Sequence, residues 1–230
     1  MSFFKTSKKK EDVQTSGNSG YITQSGCYPV NVIVPFVSVS KGGSTSVDLF
    51  IQHLDQKQVM YGNLRVTNND GSPNKIGAKV FNQLMIIADL EEVDEPVDAE
   101  LPIGKDGKDV DVSILEDLAD MDVMMRVQME YSVYNGNIQE KKIIKAFYRA
   151  EDNASAEEIV NEEGFGTQFD KDSKYFDNVT YKDGLDAELI ATWISDGRPK
   201  GTGGNSSSAA ASSAPAKKPA FGKKKSFGSK

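Results

Sequence analysis

Alternating apolar and polar positions dominate the first third of the chain. Residues 26–40 are rich in Val and Ile and predict a strand, in which Pro35 indicates a bend or an edge. Residues 44–54 alternate and predict a second strand, and residues 57–67 predict a third. The connections are short, so we expect the three strands to form a meander. The apolar face of the second strand carries Val47, Leu49 and Ile51, and Phe50 lies on its opposite face.

The pattern then changes to a helical period. Ser72 and Pro73 have the character of an N-cap followed by Pro at the first helical position. An apolar stripe at helical spacing continues to about Asp89 and predicts a helix. The stripe consists of Ile76, Val80, Leu84 and Ile87.

A β-hairpin is predicted around Asn135 and Gly136, because this dipeptide suits the positive φ angles of a type I′ turn. A two-residue loop pairs Tyr134 with Asn137 and, continued along both strands, places Arg126 directly opposite Lys145. The predicted core face pairs Val133 with Ile138, Val127 with Ile144, Met125 with Ala146 and Val123 with Tyr148. The other face ends with Met124 opposite Phe147.

Two capping boxes predict short helices. Ser113 with Glu116 would open a helix inside the acidic segment, and Ser155 with Glu158 would open one that stops at Gly164. The pattern leaves residues 165–197 without an assignment, although we expect Trp193 to pack on the core.

The order of three strands, a helix and two strands is that of the OB-fold, a small Greek-key barrel that often binds oligonucleotides. We therefore predict a mainly β protein with a few helices, built on an OB-fold-like five-stranded barrel. The predicted divisions are a basic arm (1–20), a barrel domain (21–197) with an acidic insert (89–122), and a disordered basic tail (198–230).

Charge is divided unevenly along the 230 residues. The formal net charge is −7, but six of the 27 basic residues and none of the 34 acidic ones lie in residues 201–230. An acidic body therefore lies between two basic arms. A single Cys and a single His argue against a disulfide framework and against a zinc site, so we expect a cytoplasmic protein without cofactor or metal. Neither a signal peptide nor a membrane span is predicted.

The acidic insert invites a metal-site interpretation, which its spacing does not support. Counted from Asp106, the position that is Gly in an EF-hand loop is Asp111. A solvated acidic loop is the simpler interpretation, and a two-metal nuclease stays open because acidic residues are plentiful.

The predicted Arg126–Lys145 opposition points to an anion, because like charges facing each other across a ladder repel unless something joins them. Aromatic rings interspersed with Lys and Arg are typical of surfaces that bind single-stranded nucleic acid. Candidate base-stacking residues are Phe50, Tyr61 and Tyr134, and candidate phosphate-binding residues are Lys57, Arg65, Arg126, Lys141 and Lys145. The tail adds Lys217, Lys218, Phe221, Lys223, Lys224, Lys225 and Phe227. Ordinary strand formers and solvated lysines would give a similar pattern.

Three stretches of the chain resemble bacteriophage-encoded single-stranded-DNA-binding proteins of replication and recombination. They are SGCYPVNVI, GSPNKIGAKVFNQLMIIADL and YSVYNGNIQEKKIIKAFYRAEDNASAEEI, within about residues 20–162. The resemblance implies an OB-fold, sequence-independent binding of single-stranded DNA and contact with replication enzymes such as a phage polymerase, helicase or recombinase. Many such proteins end in an acidic, partner-recruiting tail, whereas this tail is basic.

The leading hypothesis is a non-catalytic single-stranded-DNA-binding protein of a phage replication or recombination system. The sequence leaves its oligomeric state open. The alternative is a phage structural or protein-interaction module that does not bind nucleic acid.

Overall fold

The computed structural model describes residues 20–200. The predicted basic arm up to residue 19 and the tail from residue 201 onward, with all seven of its candidate binding residues, lie outside this range. In the described part of the chain, no helix is long and apolar enough to cross a membrane.

The protein is mainly β, with eight strands and four short α-helices in the described residues. The strands are β1 (Gly26–Val39), β2 (Thr45–His53), β3 (Gln56–Arg65), β4 (Val97–Leu101), β5 (Val110–Ile114), β6 (Met121–Tyr134), β7 (Asn137–Arg149) and β8 (Thr180–Tyr181). The helices are α1 (Lys75–Ile87), α2 (Ala156–Asn161), α3 (Thr167–Ser173) and α4 (Ala187–Ser195). Two 3-10 turns span Lys105–Gly107 and Glu116–Leu118.

Strand β1 is the centre of the sheet. One of its edges pairs with β2, which pairs with β3. The other edge pairs with β6 along the first half of β1 and with β5 at Phe36 and Val37. Strand β6 continues beyond β1 and pairs with β7 and, in parallel, with the short β8. The predicted meander and the predicted hairpin are therefore confirmed.

The main core lies between the inner face of the sheet and α1. It contains the predicted apolar face of β2 together with Val80 and Leu84 of α1. Helix α1 begins two residues later than predicted: Asn74 is the N-cap, and its side chain accepts a hydrogen bond from Gly77 N. Ile76 is not part of the buried stripe, because it lies on the solvent face and is 81% exposed.

The acidic insert forms a β-hairpin, β4–β5, instead of the predicted helix from Ser113. Ser113 lies within β5, where its hydroxyl donates to Asp98 across the ladder at 3.0 Å. A 3-10 turn at Glu116–Leu118 is the only helical structure that follows before β6 in the described chain.

The segment after β7 packs on both faces of the β6–β7 hairpin. The predicted capping box is confirmed: Ser155 caps α2, and Glu158 accepts from the Ser155 backbone N at 2.8 Å. Trp193 of α4 packs with Ile190 against Met129 and Tyr131 of β6, as the sequence predicts.

The closed five-stranded barrel is not found. All eight strands belong to one sheet, and within residues 20–200 no strand pairing joins β3 to β7. The two strands run next to each other without a ladder and leave an opening in the wall of the sheet.

Candidate functional site

The opening between β3 and β7 is a groove of about 490 Å³. A side chain spans it in place of a ladder: Asn63 Oδ1 accepts a hydrogen bond from Ile144 N at 3.2 Å. We call this opening the β3–β7 groove. The polar and charged side chains that line it are those of Tyr61, Asn63, Glu130, Glu140, Lys141 and Lys142.

A bulge in β3 shapes one side of the groove. The pairing of β3 with β2 slips between Leu64 and Met60, and Gly62 within the bulge has φ +66°. The carboxylate of Asp48 accepts a hydrogen bond from Gly62 N and holds this turn. Tyr61 consequently projects outward, with 60% of its surface exposed. Its ring meets the ring of Phe36 edge to face at 6.3 Å.

Two lysines lie on the other side of the groove, and one of them, Lys142, is near the Glu140 carboxylate. The two carboxylates of the groove are engaged elsewhere: Glu130 pairs with Lys182 at 2.6 Å, and Glu140 pairs with Arg198 at 3.3 Å. Across residues 20–200, neither Lys141 nor Lys142 forms an ion pair. Burial lowers the pKa of Lys142 from its ordinary value, whereas Lys141 is exposed.

The hairpin register agrees with the prediction along most of its length. Tyr134 pairs with Asn137, and the pairing continues in step to Val127 and Ile144. Asn135 and Gly136 have φ +49° and +72°, as a type I′ turn requires. Tyr134 at the tip is 68% exposed, but it does not line the β3–β7 groove.

Beyond Val127 the register slips by one residue, and the predicted Arg126–Lys145 opposition is wrong. Arg126 lies opposite Ala146, and Lys145 is the extra residue of the bulge. The slip also exchanges two aromatic rings between the faces. Phe147 enters the main core, whereas Tyr148 lies on the other face and packs against Phe169.

Arg126 is engaged within the protein. Its guanidinium lies 3.5 Å from Asp172 and 5.7 Å from the centre of the Phe176 ring, and its side chain is 16% exposed. The predicted role of Arg126 as an open phosphate contact is therefore corrected, whereas Lys145 is exposed.

Phe50 is also corrected as a stacking residue, because it is only 5% exposed. It forms a second small core with Val34 and Phe36 on the outer face of β1 and β2. The β4–β5 hairpin covers this core with Leu101, Ile103, Val112 and Ile114. No base can reach Phe50 while that hairpin is in place.

The remaining candidates of β3 lie away from the groove. Lys57 and Arg65 are both exposed, but they lie near opposite ends of the strand, and neither lines the opening. The structure thus brings Tyr61 and Lys141 together and leaves Lys57, Arg65 and Tyr134 outside the groove.

Lys142 and Asn63 are site residues that the sequence pattern missed. These two residues line a site only because the sheet is open between β3 and β7. In a closed barrel, Lys142 would lie on the core side near Met129. Neither residue type carries a sequence signal that distinguishes it from an ordinary strand residue.

Comparison with known families found no matching family model, and comparison with curated proteins found no significant match. In the part of the chain that the structure describes, no three His, Cys, Asp or Glu side chains are grouped so as to hold a metal ion.

Proposed function

We propose that the protein binds single-stranded DNA, without catalysis and largely without sequence preference, in the replication or recombination of phage DNA. The observation that carries the proposal is the β3–β7 groove, which the exposed ring of Tyr61 lines together with two lysines that form no ion pair within residues 20–200. Base stacking on an aromatic ring and cations that follow the backbone are the two elements of sequence-tolerant single-strand binding.

The strand order supports this proposal at the level of the fold. Strands β1, β2, β3, β6 and β7, with α1 after β3, follow the order of the OB-fold, and the β4–β5 hairpin is an insertion before the fourth strand of that order. The OB-fold is a partly open barrel that binds oligonucleotides. The opening between β3 and β7 is then the open side of such a barrel.

Each groove residue has a role in this proposal. Tyr61 stacks on a base, and Lys141 and Lys142 contact phosphate oxygens, because ammonium groups supply compact charge with three donors. Asn63 keeps the two walls together through Ile144 N. Tyr134 offers a second ring at the hairpin tip.

Other elements of the proposal rest on the sequence. The lysines of residues 217–225 attract the polyanion by counterion release, which makes binding depend steeply on salt. The place of action is the cytoplasm of the bacterial host, and the partners are a phage polymerase, helicase or recombinase.

The competing function is a protein-interaction module, and the acidic surface of the β4–β5 hairpin favours it. Asp98, Glu100 and Asp111 line a shallow concavity on that hairpin, where a basic protein rather than DNA would bind.

Titration of a fluorescent oligothymidylate by fluorescence anisotropy, at two salt concentrations, tests the proposal. We expect the intact protein to bind the oligomer and to prefer the single strand to a duplex of the same length. Its affinity should fall steeply as the salt concentration rises. The absence of binding at low salt overturns the proposal and leaves the interaction module.

Tyr61→Ala then tests the groove. Stacking is worth roughly 1–3 kcal/mol per base, so affinity should fall by roughly 5- to 100-fold. Tyr175→Ala is the matched control, because Tyr175 is 45% exposed and lies outside the groove. Equal affinities of the two variants would remove the β3–β7 groove from the binding site.

A further inference from the structure

A second concave surface lies further along β7. It is a cleft of about 500 Å³ between α1, β7 and the helices α2 and α3. We call it the α1–β7 cleft. The polar residues that the argument uses are Lys79, Asn82, Gln83, Arg126, Lys145 and Asp172.

Two lysines of the cleft lack acidic partners. Lys79 of α1 and Lys145 of the β7 bulge are both exposed. No ion pair occupies either ammonium group in the chain from residue 20 to residue 200. The bulge is what directs Lys145 into the cleft, because the residue is inserted where the β6–β7 register slips.

The main carboxylate of the cleft is already bound. Asp172 accepts hydrogen bonds from Tyr148 Oη at 2.6 Å and from Gln168 Nε2 at 3.0 Å, and it pairs with Arg126. The negative charge of Asp172 is therefore offset by these three neighbours. Glu157 is a second acid of the lining, and the cations outnumber the acids there.

Amide side chains add donors beside the two lysines. The oxygen of Gln83 accepts a hydrogen bond from Phe147 N at 3.2 Å, and this bond holds the amide group at the cleft. Asn82 is exposed on the same helix. Ammonium and amide donors around an open cleft suit the oxygens of a phosphodiester.

Strand β7 connects the cleft to the β3–β7 groove. Lys141 lines the groove and Lys145 lines the cleft, and four residues of strand separate them by roughly 13 Å. Ile143 lies between them and lines the groove. The two concave surfaces thus follow one another along β7: Ile144 N donates to Asn63 in the groove, and Phe147 N donates to Gln83 in the cleft.

We propose that single-stranded DNA runs along β7, passing from the β3–β7 groove into the α1–β7 cleft, where Lys79 and Lys145 bind its phosphates. This inference rests on the proposed function, since it extends the path of the same strand. A path over both surfaces is longer than the groove alone, and one OB-fold occupies roughly 4–16 nucleotides.

Oligothymidylates of increasing length, from about 4 to about 16 nucleotides, test the path. For the intact chain, affinity should rise with length until the strand reaches Lys79 and Lys145. The variant Lys79→Gln/Lys145→Gln should reach its plateau at a shorter length and bind the longest oligomer about tenfold more weakly. Its salt slope should fall by about 0.7 for each lost phosphate contact.

Lys105→Gln/Lys108→Gln is the matched control. It removes the same charge from two exposed lysines on the acidic hairpin, away from both surfaces. Urea unfolding of both variants shows whether the fold is unchanged. Lysines at positions 217–225 are present in every variant, so their contribution cancels.

Three results are distinguishable. A shorter plateau in the cleft variant alone supports the extended path. Equal plateaus and equal salt slopes in the cleft variant and the control overturn the extended path and leave the β3–β7 groove intact. Failure of the unsubstituted protein to bind any oligomer is a different result, which overturns the proposed function itself.

Discussion

The guanidinium of Arg126 in β6 lies 3.5 Å from the carboxylate of Asp172, which belongs to α3. Across the β6–β7 ladder, Arg126 lies opposite Ala146 and not opposite a cation. Tyr148 donates to the same carboxylate at 2.6 Å. The pair therefore attaches α3 to the outer face of the β6–β7 hairpin.

Replacement of this arginine should weaken the fold. In Arg126→Met, Asp172 loses its cation while it stays partly buried, so we expect a loss of about 1–3 kcal/mol in the free energy of unfolding. Urea unfolding followed by tryptophan fluorescence measures it. Lys145→Gln is the control and should change stability by less than about 0.5 kcal/mol, because Lys145 is exposed. If Arg126→Met is as stable as the unsubstituted chain, the ion pair does not fasten α3.

Asn63 offers a pair of variants that separates stability from binding. Asn63→Ala removes the acceptor for Ile144 N, so the free energy of unfolding should fall by about 1 kcal/mol. Asn63→Asp keeps an acceptor oxygen at that position but adds a negative charge beside Lys141 and Lys142. We expect Asn63→Asp to retain more stability than Asn63→Ala and yet to bind oligothymidylate more weakly. Equal DNA affinity of the two variants would contradict a phosphate path through the groove.

Gly77 should not tolerate any side chain. A Cβ at this position would lie 1.9 Å from the backbone oxygen of Arg65, where α1 crosses β3. Gly77→Ala should therefore cost about 3 kcal/mol or more, since backbone rather than a side chain must move. Gly107→Ala is the comparison, because its Cβ meets nothing within 4 Å although φ is +72°. Thermal unfolding by circular dichroism ranks the two, and a milder effect at Gly77 than at Gly107 would contradict this packing.

Acid should destabilise the region around α2. Hydrogen bonds from Arg149 hold the pKa of Asp152 below its usual value. Burial alone would raise the pKa of Glu158, but hydrogen bonds from Ser155 and Gln168 lower it on balance. Both carboxyls thus bind protons less readily in the folded state than in the unfolded one, and their contribution is complete above an unfolded pKa of about 4.

That contribution is lost as the pH falls through the lowered pKa values. Urea unfolding at pH 7, 5, 4 and 3 should show a steeper loss for the unsubstituted chain than for Asp152→Asn/Glu158→Gln. Parallel curves for the two proteins would show that these carboxyls do not cause the acid sensitivity.

The sequence predicted the strands whose geometry is specified by their own local residue pattern. Alternation in β2 and the Asn135-Gly136 turn in the β6–β7 hairpin each specify local geometry, and both agree with the structure. The β4–β5 hairpin was missed because Asp and Glu are poor strand formers. Its pairing depends on β1 and on the apolar face that it places over Phe50, which are long-range contacts.

The site was predicted less well because it depends on two irregularities. The bulge at Gly62 opens the sheet, and the bulge at Lys145 shifts the register by one residue. A shift of one residue exchanges the faces of a strand, so Phe147 and Tyr148 changed places with respect to the prediction. Alternation identifies the two faces of a strand, but it does not show where the alternation breaks.

The acidic β4–β5 hairpin and the lysines of β7 make the surface charge of the molecule uneven. A polyanion that diffuses toward the protein is repelled on the side of Asp98, Glu100 and Asp111 and attracted on the side of Lys141 and Lys145. We expect a polyanion to approach β7 more often than the β4–β5 hairpin, so that encounter is oriented before any contact forms. The hairpin would then influence how fast a strand arrives rather than how tightly it is held.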